Sequence, residues 1–542
     1  MTYMKPRLFD NTPNETPGST DKDDYFQITK DESLCEQTEA NLKNTDELET
    51  KPSYLGVSLL CCLVAVGGYV FGWDIGTISG FVGMSDFKQR FGQVNSEGEH
   101  YLSNIRTGLI VAIFNMGCAI GGLTLGRLGD IYGRKKGLII TMIVYVVGIT
   151  IQIASGHSWV QYFIGRIIAG LAVGSISVLC PLFISETSPK EIRGTLVSVY
   201  QLLNTMAIFV GYCATYATYH EYNDSRQWRI PLGLGYAWAI IMVGGMLIMP
   251  ESPRYLVEVG NIEKAMKSVA KVNNVPINSK LVTSEIELIA NSVEAERDAG
   301  DPGWGYLITG QPKILYRVFI GVMLQSLQQL TGCNYFFYYG TTIFKSVGLE
   351  DSYETSIILG TVNFVSTFLS LYIIDRLGRR MCLLGGSIAM SICLIIFSSI
   401  GTKSLYPTEY GVDANQATGN VMILFACLFI FFFATTWAPG VFVVVSETYP
   451  LKVRAKAMAV SSAANWTWNF LIAFFTPLIT DKIHFAYGFV FCGCTIFSIF
   501  FVFAFVPETK GLTLESVDEL YLNYTPGLAF ITRKKDGDVE KL

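Results

Sequence analysis

The stretch Gln328-Gln329-Leu330-Thr331-Gly332-Cys333-Asn334-Tyr335-Phe336-Phe337-Tyr338-Tyr339-Gly340 lies inside an apolar run from about Val318 to Phe344. A run of that length can cross a bilayer, which requires roughly 20 residues. Its three carboxamides need partners, because an unpaired amide in a dry interior costs on the order of 1–3 kcal/mol. A polyhydroxylated ring would supply them, since its hydroxyls pair with amides and aromatic faces cover its C–H surface. The alternative is that the amides only bridge neighbouring helices.

The spacing of the amides indicates an interruption in this helix. Gln325, Gln328 and Gln329 share one helical face, whereas Asn334 would lie about 120° from Gln328 on an unbroken helix. We predict that the helix breaks at Gly332. Transporter binding sites are built at such breaks, because irregular backbone at membrane depth must line protein or a watery cavity.

Composition places the chain among membrane proteins. Of its 542 residues 50% are hydrophobic and only 16% are charged, and the mean hydropathy is +0.38. An ordinary soluble chain of this length would not show these values, so we predict a protein that crosses the membrane many times. Most of the 12 cysteines fall in apolar segments, where they behave as small hydrophobic residues rather than as disulfides or metal ligands.

Apolar segments divide the chain into two groups of six predicted spans. Polar residues 1–52 are predicted to be a disordered cytosolic tail, 53–249 and 315–506 two six-helix bundles, 250–314 a cytosolic loop with short helices, and 507–542 a cytosolic tail. The twelve spans lie near residues 55–81, 106–126, 137–155, 159–184, 195–218, 229–249, 316–340, 354–374, 381–401, 419–445, 456–478 and 484–505.

Cations in the short loops define the orientation. Lysines and arginines follow spans 2, 4, 8 and 10, which places all of them on one side of the membrane. The positive-inside rule makes that side cytoplasmic, and both termini with it.

The two halves repeat one another. Three charged motifs recur in the same order at separations of 245 to 261 residues, around Asp130 and Asp375, Glu186 and Glu447, and Glu251 and Glu508. This recurrence predicts a duplicated six-span unit. We expect the charged groups to form a latch that joins the halves when the cytoplasmic side is closed; the alternative is that they only anchor helix ends. The latch residues are Asp130, Arg134, Glu186, Arg193, Glu251, Arg254, Asp375, Arg379, Glu447, Arg454 and Glu508.

Together with Pro250-Glu-Ser-Pro-Arg254, Pro507-Glu-Thr-Lys-Gly511 and Gln328-Gln-Leu-Thr-Gly332, this pattern resembles the sugar porter family of the major facilitator superfamily over residues 54–515. The segments 71–80, 334–345 and 435–439 are most similar to yeast-type hexose transporters. The resemblance implies an all-α membrane protein with twelve helices in two pseudo-symmetric bundles. It also implies facilitated import of glucose and related sugars such as fructose, galactose or xylose across the plasma membrane, by a monomer without a cofactor.

The resemblance also implies a set of sugar-binding residues. These are Gln201, Gln328, Gln329, Asn334, Asn363, Phe442, Asn465 and Trp466. Two positions depart from the family. Phe442 stands where human glucose transporters have Trp and yeast proteins often Tyr, so it can stack but cannot hydrogen bond. Cys333 stands where the yeast pattern commonly has Asp. These departures leave the sugar preference open.

Two ionisable residues lie within predicted spans. Asp74 and Arg166 are expected to neutralise each other, because an unpaired charge at mid-membrane is costly. In proton-coupled relatives the carboxylate at this position resembles the proton acceptor, yet yeast-type facilitators carry Asp there too. A facilitator with a structural ion pair and a proton-coupled symporter are therefore both compatible with this pair.

Other function classes lack the residues they need. The sequence has no phosphate-binding loop, no Ser/His/Asp set and no Cys/His ligand spacing, and its four histidines lie near predicted outer loops. We therefore expect no enzymatic activity, no metal site and no nucleic-acid partner. A glucose sensor is a further alternative. Such sensors carry long cytoplasmic tails, whereas only 36 residues follow from Pro507 here, which favours a transporter.

Overall fold

Helices make up nearly all of the described chain. The structure, a computed structural model, describes residues 54–189, 192–300, 303–345, 352–403, 416–450, 452–512 and 514–523. All features below belong to these residues.

Six long helices form the N-terminal half. Spans 1 to 6 are Tyr54–Phe81, Asn104–Thr124, Arg134–Ile153, Trp159–Thr187, Arg193–Glu221 and Arg226–Ile248. Span 2 continues through a 3-10 turn, Leu125–Arg127, into Leu128–Tyr132. A short helix, Ser85–Phe91, and two antiparallel strands, Gln93–Val94 and His100–Tyr101, connect spans 1 and 2.

Four helices separate the two halves: Pro253–Glu258, Ile262–Asn273, Lys280–Ala299 and Tyr306–Thr309. The third has 20 residues and is longer than the short helices that the sequence predicts. The side chain of Ser279 caps it by accepting a hydrogen bond from the backbone N–H of Val282 at 3.4 Å. Val282 and Val269 belong to a small apolar cluster that is separate from the main core. Burial in this cluster stabilises the 20-residue helix outside the membrane spans.

The C-terminal half has the same number of spans but more irregular helices. Span 7 consists of Ile314–Leu330 and Cys333–Lys345, span 8 is Ser352–Leu377 and span 9 is Arg379–Lys403. Span 10 runs through Gln416–Phe432, a π-helical segment Phe433–Trp437 and Ala438–Thr448. Span 11, Arg454–Ile483, is joined to span 12, Tyr487–Phe505, by a 3-10 turn, His484–Ala486, and a last helix spans Leu514–Asn523.

These elements make twelve spans within the described residues. Ten stretches are long and apolar enough to cross a membrane, and one of them, Arg454–Phe505, contains both span 11 and span 12. The two parts of span 7 have 17 and 13 residues, so neither crosses alone. The predicted fold class, an all-α membrane protein with two six-helix bundles, is confirmed.

The break in span 7 occurs where the sequence predicts it. The helix ends at Leu330 and resumes at Cys333, with Gly332 at φ 89°. An L-residue rarely adopts this backbone conformation. A Cβ atom at Gly332 would also lie 2.5 Å from the ring of Phe491, so the site accepts only glycine without rearrangement.

Candidate functional site

Five amide side chains of spans 7 and 11 form one hydrogen-bonded set, which we name the amide cluster: Gln325, Gln328, Gln329, Asn334 and Asn465. Gln329 is central, since its Nε2 donates to Asn465 Oδ1 at 2.9 Å and its Oε1 accepts from Asn334 Nδ2 at 2.6 Å. Asn465 Nδ2 in turn donates to Oε1 of Gln325 at 2.7 Å and of Gln328 at 2.9 Å. The helix break lets Asn334 return to the face that carries the glutamines.

The amide cluster also reaches span 10. Gln328 Nε2 donates to the backbone carbonyls of Trp437 and Ala438, both at 3.0 Å. These carbonyls lie at the end of the π-helical segment, whose Trp437 indole donates to Leu383 of span 9 at 3.0 Å. A change in the hydrogen bonds of the amide cluster would therefore affect the irregular segments of spans 7 and 10 together.

The cluster is buried and uncharged. Its five members are each at most 8% exposed, and the Nε2 of Gln325 has no partner among the described atoms. Every amide offers both a donor and an acceptor, so a neutral polyol can replace the amide–amide bonds one for one without bringing a charge into the membrane. The arrangement therefore suits a hydroxyl-rich, uncharged ligand.

The remaining candidate positions lie outside this hydrogen-bonded set. Trp466 packs edge-on against Phe71 of span 1, with ring centroids 5.5 Å apart, and so joins the two halves. Asn363 is buried, Gln201 is partly buried, and neither side chain makes a hydrogen bond within the described chain. Phe442 is 47% exposed. Hydrogen bonds within the described chain therefore join four of the eight candidates, Gln328, Gln329, Asn334 and Asn465.

Asp74 of span 1 and Arg166 of span 4 form an ion pair inside the N-terminal half. Arg166 is 2% exposed and Asp74 9%. The Arg166 guanidinium also donates to the backbone carbonyls of Ile110 at 3.2 Å and Val111 at 3.4 Å, and it lies 4.6 Å from the centre of the Phe114 ring. These contacts satisfy the guanidinium and fix its place against span 2.

The two halves touch through polar contacts at one end. Tyr212 of span 5 donates to the backbone carbonyl of Phe337, and Thr341 of span 7 donates to that of Ser79, both at 2.8 Å. Tyr353 of span 8 donates to the carbonyl of Gly80 at 2.8 Å. We name this end the far side, and the opposite end, which carries the charged motifs, the basic side. The far side is closed.

On the basic side of the N-terminal half, several carboxylates surround Arg134. Glu186 binds it through two bonds of 3.0 and 3.1 Å, Asp130 lies 3.4 Å away and Glu258 3.7 Å away. Burial raises the pKa of the Glu258 carboxyl, and Arg134 partly opposes this shift. Glu258 was not among the predicted latch residues, although it also lies 3.5 Å from Arg254.

Another carboxylate, that of Glu251, caps the N-terminus of span 3. Glu251 accepts hydrogen bonds from the backbone N–H groups of Lys135 and Ser252, both at 3.0 Å. The first N–H groups of a helix have no partner within the helix and attract negative charge. Ser252 also donates to Glu186 at 2.5 Å, which connects the cap to the Arg134 group.

The C-terminal half repeats this arrangement. Arg379 binds Glu447 at 3.0 Å, and Thr509 donates to Glu447 at 2.6 Å. Glu508 accepts from the backbone N–H groups of Arg379 at 2.9 Å and Arg380 at 3.1 Å, so it caps span 9 as Glu251 caps span 3. The hydroxyls of Ser252 and Thr509 occupy equivalent positions beside the two motifs, which is the duplication that the sequence predicts.

The latch residues are paired within their own halves in this structure. Each ion pair described between these residues joins partners of one half, and the side chain of Asp375 lies outside the described residues. Arg193 donates to the carbonyl of Ser188 at 3.3 Å, and Arg454 to that of Tyr449 at 3.2 Å. Among the residues that the structure describes, no group of His, Cys, Asp or Glu side chains could hold a metal ion.

Similarity to known proteins agrees with these features. The chain is 57% identical over 485 residues to the low-affinity glucose transporter HXT3 of Saccharomyces cerevisiae, which covers 90% of this chain and 85% of that protein. It is 58% identical over 487 residues to the low-affinity glucose transporter of Kluyveromyces lactis, with 89% and 86% covered. The high-affinity hexose transporter HXT6 of S. cerevisiae is 56% identical over 477 residues, with 88% and 84% covered.

Solved structures show the same fold. The inward open conformation of the xylose transporter XylE from E. coli superimposes with a TM-score of 0.69 at 26% identity, over 86% of this chain and 100% of that one. XylE bound to 6-bromo-6-deoxy-D-glucose, described as a major facilitator superfamily proton:xylose symporter, gives 0.70 at 27% identity over 86% and 100%. The family model described as "Sugar (and other) transporter" matches residues 60–521. The chain therefore belongs to the sugar transporter family.

Proposed function

We propose that this protein is a passive hexose carrier of the plasma membrane that transports glucose by alternating access. The observation that carries the proposal is the amide cluster at the broken span 7: a buried, uncharged set of donors and acceptors. Relatives with 56–58% identity are named glucose and hexose transporters, which supports the choice of sugar.

The conformation fits a carrier with its inner side open. Polar bonds close the far side, while the latch residues pair within each half. The positive-inside rule places the basic side in the cytoplasm. The protein then works as a monomer in the bilayer, with both termini in the cytoplasm.

Transport follows from exchange of partners at the amide cluster. When the far side opens, a hexose enters between the halves and its hydroxyls replace bonds between Gln329, Asn334 and Asn465. Span 7 bends at Gly332, and span 10 adjusts at its π-helical segment, where Gln328 is attached. Rocking of the halves brings Gln201 of the N-terminal half toward the sugar. Asn363 and Phe442 reach it from the half that carries the amide cluster, and Trp466 covers its apolar face.

The charged motifs serve as the latch of the closed basic side. We expect Glu447→Gln to reduce glucose uptake per molecule at the cell surface by roughly tenfold, because the latch of the closed state loses the carboxylate that binds Arg379 in the present structure. Uptake and surface abundance are measured in the same cells. Glu263→Gln, which removes an exposed charge on the same side, is the control and should leave both unchanged. Reduced surface abundance with normal uptake per molecule would instead favour the alternative that the charged motifs only anchor helix ends.

Uptake of labelled glucose by cells that lack their own hexose carriers tests the function itself. We expect saturable uptake that unlabelled glucose abolishes, with fructose, galactose and xylose competing to different degrees. Mannitol has similar hydroxyls but no ring and should not compete. Correctly localised protein without uptake would contradict the proposal and favour a sensor.

A proton-coupled symporter is the second candidate function. The buried pair Asp74 and Arg166 favours it, because a carboxylate at membrane depth can exchange a proton. XylE is described as a proton:xylose symporter, which supports the same reading. A proton gradient distinguishes the two candidates, because only a symporter would use it to accumulate sugar.

A further inference from the structure

A second polar contact lies next to the amide cluster, one helical turn nearer the far side. The hydroxyl of Tyr338 lies 3.3 Å from Oδ1 of Asn115 in span 2 and 3.1 Å from Oδ1 of Asn469 in span 11. The three residues are 3%, 1% and 4% exposed, so they are enclosed by protein. Asn115 belongs to the N-terminal half and the other two to the C-terminal half.

The Tyr338 hydroxyl can bond to both asparagines only by donating to one and accepting from the other. A tyrosine hydroxyl has one hydrogen, so it donates to only one of two carbonyl oxygens at a time. With Oδ1 of Asn115 toward Tyr338, Nδ2 of Asn115 has no partner in the described structure. With the Asn115 amide turned by 180°, its nitrogen donates to Tyr338 while Tyr338 donates to Asn469, so both bonds form. We assign this orientation, in which Asn115 contributes one hydrogen bond across the two halves.

The position of Asn115 gives this bond a role. Tyr338 follows Asn334 by one turn, and Asn469 follows Asn465 by one turn, so Asn115 connects the opposite half to the helices that carry the amide cluster. The other bonds that close the far side end on backbone carbonyls of Phe337, Ser79 and Gly80. Asn115 and Tyr338 instead meet through side chains, whose partners can change as the halves rock.

We propose that Asn115 is a positioning residue of the transport cycle, which holds Tyr338 and the outer part of span 7 closed over the sugar site. When the far side opens, Asn115 and Tyr338 separate, and each exchanges this bond for one to water or to a sugar hydroxyl. The inference rests on the proposed function, because it assigns Asn115 a place in alternating access.

Entry and exit kinetics test this role. For a passive carrier Vmax/KM is the same in both directions, so a shift of the conformational equilibrium appears as an unequal change of the two KM values. Asn115→Ala weakens the closed far side, so the ratio of exit KM to entry KM should rise about fivefold, the factor for one ordinary hydrogen bond. Tyr338→Phe should give a similar ratio, and the double variant no larger one.

Thr141→Val provides the control. Thr141 is buried in span 3 and bonds to Ser175 at 3.3 Å within the same half. Its replacement should change both Vmax values by one common factor and leave the KM ratio at the wild-type value. An unchanged KM ratio in Asn115→Ala, with glucose transport by the wild type intact, would overturn the inference and leave the proposed function standing.

A distance measurement keeps the inference testable even if glucose is the wrong sugar. Spin labels introduced by Ile105→Cys and Lys482→Cys, at exposed positions on the far-side ends of spans 2 and 11, report the separation of the halves. Asn115→Ala should increase the population with the longer distance about fivefold without any sugar present. A distance distribution identical to that of the labelled parent protein would refute the role of Asn115 independently of transport.

Discussion

Replacing Gln329 by alanine is expected to reduce glucose uptake by about a hundredfold, while the protein still reaches the membrane. Gln329 makes two bonds at the centre of the amide cluster, and its loss leaves Asn334 and Asn465 without these partners in a buried site. Each buried polar group left unpaired costs about 1–3 kcal/mol, and two such losses give a factor of this size. Initial uptake rates, divided by the amount of protein at the surface, measure the effect.

The matched control is Gln152→Ala in span 3. Gln152 is also fully buried in the membrane region and, among the residues that the structure describes, donates only to the carbonyl of Gly148, at 3.3 Å. Its loss should leave uptake per surface molecule close to the wild-type value. If Gln329→Ala transported glucose normally, the amide cluster would be a structural bridge between helices and not the sugar site.

Replacing Asp74 by asparagine should lower the stability of the N-terminal half, and by more than Glu447→Gln lowers that of the C-terminal half. The Arg166 guanidinium would remain 2% exposed without its carboxylate. Removing one partner of a buried ion pair typically costs about 3–5 kcal/mol, because the other charge stays buried. We expect a lower midpoint of thermal unfolding in detergent and less protein at the cell surface.

A double variant separates charge pairing from a requirement for the carboxylate itself. Asp74→Asn combined with Arg166→Gln removes both charges and should recover part of the lost stability. Asp224→Asn, which removes one partner of an exposed ion pair at 2.9 Å, serves as the control and should leave the unfolding midpoint unchanged. A single Asp74→Asn variant as stable as the wild type would show that Arg166 does not depend on this charge.

The spans and the break in span 7 could be predicted because their causes are local. Apolar length identifies a span, and a glycine beside amides that face different sides indicates an interruption. Gly332 meets that expectation with a positive φ. The sequence predicts a kink in span 10 at Trp437 and Pro439, because proline lacks a backbone donor, and the helix is irregular there, at Phe433–Trp437. The π-helical form of the segment and the bond from Trp437 to Leu383 of span 9 could not be predicted, because no local pattern records them.

The hydrogen-bond partners of the candidate residues could not be predicted from the sequence for the same reason. The motifs predict that Glu251 and Glu508 are charged latch residues. In the structure each caps a helix by accepting hydrogen bonds from backbone N–H groups, a role that depends on three-dimensional position. Asn115 is one asparagine in an apolar span, and nothing in its neighbourhood along the chain points to Tyr338, 223 positions away. Long-range pairing of this kind is decided by how the spans pack.

Passive transport of hexose fixes the steady-state glucose ratio across a proteoliposome membrane. Purified protein is reconstituted, an inwardly directed proton gradient is imposed, and labelled glucose inside and outside is measured with and without a protonophore. We expect the inside concentration to reach the outside concentration and to stop there under both conditions. Accumulation above the outside concentration that collapses with the protonophore would contradict passive transport and make Asp74 the candidate proton carrier.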